Sequence, residues 1–175
     1  MADTESDKKE LANFLDTEGF IGIVCSKDHG HERFIPSVML SNTERGWLER
    51  VKAKWGGTIS PVKKQTKEWY SVRMKHLELT SQGWCWHIHG DRLLAVLDAV
   101  IPYLTIKADP AALCRELQYR ISKRIGIDTF HRLTQQEREF RTELHRKCKL
   151  MTSRGPKSGE QLVLPKQTPQ LLLPI

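Results

Sequence analysis

Hydrophobic positions along the chain change period several times, and each change marks an element. Leu11, Phe14 and Leu15 recur at helical spacing between the capping-box pair Asp7 and Glu10 and the helix-ending Gly19, which predicts a first helix. FIGIVCSK then switches to a strand, His29-Gly30-His31 reads as a turn, and RFIPSVMLS is a second strand. Its alternation sends Arg33, Ile35, Ser37 and Met39 to one face and Phe34, Val38 and Leu40 to the other, with Pro36 marking a bulge or an edge. Asn42-Thr43-Glu44 offers an N-cap for a helix striped by Trp47, Leu48, Val51 and Trp55 and ended by Gly56-Gly57.

A strand around Thr58 to Ser60 leads into a basic loop, PVKKQTK. Beyond it WYSVRMKHLEL alternates Tyr70, Val72 and Met74 with Ser71, Arg73 and Lys75, a half-buried strand with a basic outer face. WCWHIH repeats the pattern, with Trp84, Trp86 and Ile88 pointing one way and Cys85, His87 and His89 the other. Three helices follow. One runs from Asp91 to Ile101 with Leu94, Leu97 and Ile101 inward. The next takes Asp109 as cap and Pro110 in its first turn, and carries Leu113, Leu117 and Ile121. The last opens on the capping box Thr134-x-x-Glu137, carries Phe140, Leu144, Cys148 and Met151, and ends before Gly155-Pro156. The order α-β-β-α-β-β-α, then two helices, predicts one α+β domain over residues 1–155 with a single antiparallel sheet. Residues 156–175, rich in Pro, Gln and Lys, read as a mobile tail.

Charge narrows the partners. The 175 residues carry 28 Lys and Arg against 21 Asp and Glu, a net +7 that favours a polyanion. Charge alone does not separate DNA, RNA and an acidic membrane. No apolar run approaches the roughly 20 residues needed to span a bilayer. The N-terminus MADTESDKKE has no apolar segment of the secretory kind, so an intracellular site (bacterial or phage cytoplasm, or an organelle) is expected. Cys25, Cys85, Cys114 and Cys148 form no C-x-x-C pair, which argues against a zinc knuckle and suits a reducing interior. Cys85, His87 and His89 put three potential ligands on one strand face, but no fourth is evident.

The chemistry enters through a nine-residue segment. Leu11-Ala12-Asn13-Phe14-Leu15-Asp16-Thr17-Glu18-Gly19 resembles the LAGLIDADG signature of homing endonucleases position for position. Asn42-Thr43-Glu44 with Leu48 and Gly56-Gly57 resembles that family's strand-to-helix junction and closing Gly pair. WCWHIHG resembles its fourth strand, and PYLTIK, Pro102 to Lys107, its proline-aromatic-leucine-x-x-lysine segment. The resemblance covers roughly residues 8–151. It implies the LAGLIDADG homing endonuclease fold, with a saddle-shaped antiparallel sheet, and a site-specific endonuclease that hydrolyses phosphodiesters in double-stranded DNA with Mg2+, for which Mn2+ can substitute. A single copy of the motif implies a homodimer and a palindromic or pseudo-palindromic target. The alternative is a non-cleaving nucleic-acid binder, either an RNA-binding intron maturase or a DNA-binding regulator.

The resemblance also assigns residues. Glu18 falls at the metal-binding acid, with the Thr17 backbone carbonyl as a second ligand; Asp16 matches the earlier, structural acid. Two such carboxylates brought together by a dimer would repel without a hard cation between them. Asn42 matches a polar residue near the attacking water, or is an ordinary helix cap. Lys107 matches a basic residue near the scissile phosphate, or is a solvated lysine. Glu18, Asn42 and Lys107 are thus the candidate catalytic set, and Leu11, Ala12, Leu15 and Asp16 the candidate dimer interface. Arg33, Ser37, Lys63, Lys64, Lys67, Ser71, Arg73, Lys75, His87 and His89 would face DNA from the sheet and its loops. Asn13 and Thr17 stand where the motif has smaller residues, which widens a helix–helix crossing, and Glu18 replaces aspartate, which lengthens the reach to a metal.

Overall fold

A computed structural model describes residues 4–28, 31–62, 83–129 and 132–152. The first helix, α1 (Glu5–Thr17), starts a little before Asp7 because Thr4 is the better cap. Its hydroxyl accepts the Asp7 N–H and its own N–H donates to the Asp7 carboxylate, both at 3.2 Å. Glu10 is left as an exposed mid-helix residue. β1 (Phe20–Asp28) and β2 (His31–Asn42) then pair as a hairpin. After α2 (Arg45–Trp55) come β3 (Thr58–Pro61) and β4 (Trp84–Ile88), giving an antiparallel sheet of order β1-β2-β4-β3. Strand β4 pairs with β2 only from Val38 to Asn42. Pro36 therefore sits where β1 is the single neighbour among the described strands, so its missing N–H breaks no ladder to β4.

The alternation read from β2 and β4 holds. Phe34, Val38, Leu40, Trp86 and Ile88 are buried beneath the helices. The Trp86 indole N–H donates to the Gly56 carbonyl at 2.7 Å, so this fully buried ring leaves no polar atom unpaired. That contact explains the Gly pair ending α2. Gly57 has φ +87, and a Cβ there would lie 2.7 Å from the His87 carbonyl and the Trp86 indole nitrogen.

The three C-terminal helices differ in register from the apolar pattern. α3 (Asp91–Val100) buries Leu93, Val96, Leu97 and Val100, leaves Leu94 half-buried, and runs into a 3-10 turn at Ile101–Tyr103 that leaves Ile101 half-buried too. α4 (Ala108–Ser122) begins before Asp109, which does not cap it, and buries Ala111, Cys114, Leu117 and Gln118, with Leu113 and Ile121 only partly covered. α5 (Gln135–Thr152) makes half of the expected capping box, the Glu137 N–H donating to the Thr134 hydroxyl at 3.3 Å. The Glu137 carboxylate turns inward instead, to Arg120 at 2.5 Å and Arg141 at 2.9 Å. Glu137 and Arg141 thereby enter the core beside Leu144 and Cys148, while Phe140 and Met151 stay exposed. Burial alone would raise the Glu137 pKa, but the two guanidinium groups outweigh it and hold the carboxyl below its usual range.

α4 and α5 lie across β1 and β2, and α1 packs on α3 and the sheet. Residues 63–82, which hold the basic loop from Lys63 on and the strand read over 69–79, and the tail 156–175 lie outside the described residues. No helix among the described residues is long and apolar enough to cross a membrane.

Candidate functional site

The end of α1 is held by an exchange of polar groups with the start of α4. Asp16, nearly buried, accepts the backbone N–H groups of Thr105 at 2.6 Å, Ile106 at 3.2 Å and Lys107 at 2.9 Å. It thus satisfies the turn before α4, the service that sequence reading gave to Asp109. In return the Lys107 ammonium donates to the Leu15 carbonyl at 2.5 Å and the Gly19 carbonyl at 2.7 Å. A cation on these carbonyls also suits the negative end of the α1 dipole. Gly19 fits because a Cβ there would fall 2.7 Å from the Leu15 backbone.

Glu18 caps α1 between these two anchors, and its side chain is exposed. It lines a hollow of about 410 Å³ with Ser41, Asn42, Thr43, Val62, Gly83 and Trp84. Glu18 and Asn42, 24 positions apart, are therefore brought to one place, while Lys107 faces the α1 carbonyls behind it. Asn42 does not cap α2, whose N-cap is Glu44, but closes an Asx turn before it: its side-chain oxygen accepts the Glu44 N–H at 2.8 Å, which leaves its amide hydrogens as the donors it can offer a ligand. Thr17 bonds its hydroxyl back to the Asn13 carbonyl at 3.0 Å, and its own carbonyl belongs to the last helical turn, which no following helical N–H reaches. Sequence reading missed Trp84 and Arg45. The pairing of Asn42 with Trp84 brings the indole to the hollow, and the Arg45 guanidinium stacks on that ring at 4.4 Å. Only strand register reveals this, so no local signal would have found it.

The four residues expected at a dimer interface face the chain's own interior. Leu11, Ala12 and Leu15 are buried in the chain's own core, and Asp16 is engaged with the α4 turn. The reason is helical phase: the residues that pack α1 on its own sheet cannot also face outward. Asn13, Thr17 and Glu10 make the exposed stripe.

On the sheet face away from the helices, Arg33 is exposed and Ser37 and His87 are half-buried, and the exposed His89 follows the end of β4. The two imidazoles stack with centroids 5.9 Å apart and planes 8° from parallel. Lys63, Lys64, Lys67, Ser71, Arg73 and Lys75 lie outside the described residues. Among the described residues no three His, Cys, Asp or Glu side chains cluster as a metal site, so the Cys85, His87, His89 row does not form one. Glu18 suits a hard divalent cation as an exposed carboxylate at a helix C-terminus, with the Thr17 carbonyl adjacent. One chain supplies few such ligands, so a cation at Glu18 would draw the rest from a second copy, a phosphate or water.

No family model matches the chain, and no curated protein matches its sequence. Its fold is shared with solved LAGLIDADG homing endonucleases at low identity. The homing endonuclease I-CvuI, in complex with its target in the presence of calcium, superposes with TM-score 0.61 and 17% identity, over 87% of this chain and 85% of that one. The archaeal intron-encoded homing endonuclease I-Vdi141I, complexed with DNA, gives TM-score 0.65 and 12% identity over 89% and 90%. The LAGLIDADG homing endonuclease I-GzeII, in complex with a DNA target, gives 0.54 and 13% over 93% of this chain but 54% of its own.

Proposed function

We propose that this chain, which has the LAGLIDADG homing endonuclease fold, acts as a homodimeric endonuclease that hydrolyses phosphodiesters in double-stranded DNA at a palindromic or pseudo-palindromic target. The observation that carries the reading is the placement of Glu18. The last residue before the motif glycine presents an exposed carboxylate at the end of α1, and the carbonyls flanking it on both sides are tied down by Lys107. With the backbone on either side held in this way, a cation would have only the Glu18 side chain itself to order. Glu18 and the Thr17 carbonyl would hold Mg2+, or Mn2+ in its place. Such an ion supplies Lewis-acid stabilisation of phosphate charge and a lowered pKa for bound water.

The chain's own residues divide the remaining work. Asn42 offers its amide hydrogens to an oxygen in the hollow, and Arg45 brings a guanidinium to the same rim. Lys107 is a positioning residue: its ammonium spans Leu15 and Gly19 and sets where Glu18 points. Arg33, Ser37, His87 and His89 meet DNA from the sheet, and two copies meet through the outward stripe of α1.

Incubation with a mixed duplex-DNA target library, first in magnesium and then in calcium, tests the reading. Cutting confined to magnesium is expected, and Glu18→Gln should abolish it while calcium-supported binding stays within about twofold. An undiminished cutting rate in Glu18→Gln removes Glu18 from the metal site. Wild-type binding without cutting in magnesium would instead identify a non-cleaving binder.

A further inference from the structure

Register defines an apolar strip on the sheet face turned away from the helices. Val24 stands opposite Ile35, Gly22 opposite Ser37, and Phe20 opposite Met39, which in turn stands opposite His87. The Phe20 ring extends over Gly22, where a Cβ would fall 2.5 Å from it, so the gap between the two apolar pairs is filled. Ser26 and Arg33 bound the strip at one end, His87 and Thr58 at the other. Over Phe20 to Ser26 and Arg33 to Ser41 this face carries no carboxylate. Val24 is 37% exposed in a position where cross-strand pairing fixes its direction.

In a major groove such a strip discriminates. Thymine alone presents a methyl group there, whereas guanine and cytosine present acceptors and donors that an aliphatic side chain would dehydrate without replacing their bonds. We propose that Val24 and Ile35 read thymine methyl groups, so that the base pairs beneath the strip are selected as A·T while Arg33, one rung along, takes a guanine edge or a phosphate. This specificity rests on the duplex-DNA reading above.

The test uses the full chain in calcium and duplexes selected from a random library. Thymine should be enriched at matching positions in both half-sites. Replacing those thymines one at a time with deoxyuridine removes only the methyl, and should weaken binding roughly fourfold at the positions under the strip, the ratio expected for about 0.8 kcal/mol per buried carbon. Val24→Ala should bring the thymine and uracil duplexes to near-equal affinity, a ratio that does not depend on how much of the variant is folded. Val24→Ser, which keeps no γ-methyl, should do the same. If specific duplexes are recovered but uracil replaces thymine without loss at every position, the inference fails and the DNA reading stands. If the library yields no enriched sequence, both fail.

Discussion

At the scale of single residues, Asp16 and Lys107 show how two elements far apart in sequence fix a third residue that neither touches. The Asp16 carboxylate takes three backbone N–H groups, and the Lys107 ammonium takes two carbonyls of the segment that carries Glu18. Charge-assisted bonds to a nearly buried carboxylate are worth about 1.5–3 kcal/mol, more than a surface pair. Asp16→Asn keeps one oxygen acceptor and loses the charge, so urea denaturation should show a loss of that order. Cutting should fall at least tenfold, because Glu18 is no longer held, while binding in calcium changes little. A variant as stable as the wild type would show that the exchange contributes nothing. The role was only half legible beforehand. The motif assigned Asp16 to structure, but Lys107 read as a phosphate contact or a solvated lysine. Only the fold shows its ammonium turned to the α1 carbonyls.

At the scale of elements, α4 and α5 are joined by the Arg120–Glu137–Arg141 cluster, in which Glu137 is 3% exposed. Glu137 also stands over Gly126, where φ is +70 and a Cβ would fall 2.4 Å from its side chain. Removing one member of a buried ionic group leaves the others uncompensated, at about 3–5 kcal/mol. Glu137→Gln should therefore destabilise strongly at neutral pH. Because the folded pKa is depressed, this stability is fully present above the unfolded value and is lost as pH falls through the folded one. Denaturation from pH 7 to 3 should show a constant gap between wild type and variant down to about pH 5, narrowing below that. A gap independent of pH would mean that Glu137 does not act as a carboxylate. The pattern of apolar positions missed this seam because it contains charged residues, which periodicity places at the surface.

At the scale of the whole molecule, one copy of the motif and one exposed Glu18 per chain make the dimer the proposed working unit. For that dimer the proposed seam is the exposed stripe Glu10, Asn13 and Thr17 rather than the buried residues beside it. Light scattering at micromolar concentration should report a dimer. Asn13→Arg should give a monomer that keeps its fold, since that side chain is exposed in the single chain. A wild-type monomer at every concentration, with DNA and without, would overturn the two-fold arrangement.

Strand period, the Gly pair after α2 and the motif's nine positions were enough to determine an α+β chain with one antiparallel sheet and to single out Glu18, because period 2, period 3.6 and turn chemistry are local properties. The tertiary structure decided everything that depends on which surfaces meet. It set the phase of α1, and with it the residues that face inward. It replaced Asp109 by Asp16 as the acceptor before α4, and it moved Glu137 and Arg141 into the core. It also aligned Val24 with Ile35 and Asn42 with Trp84. Register and cross-element bonds join residues that are up to 92 positions apart, as Leu15 and Lys107 are, so no window along the chain contains both partners.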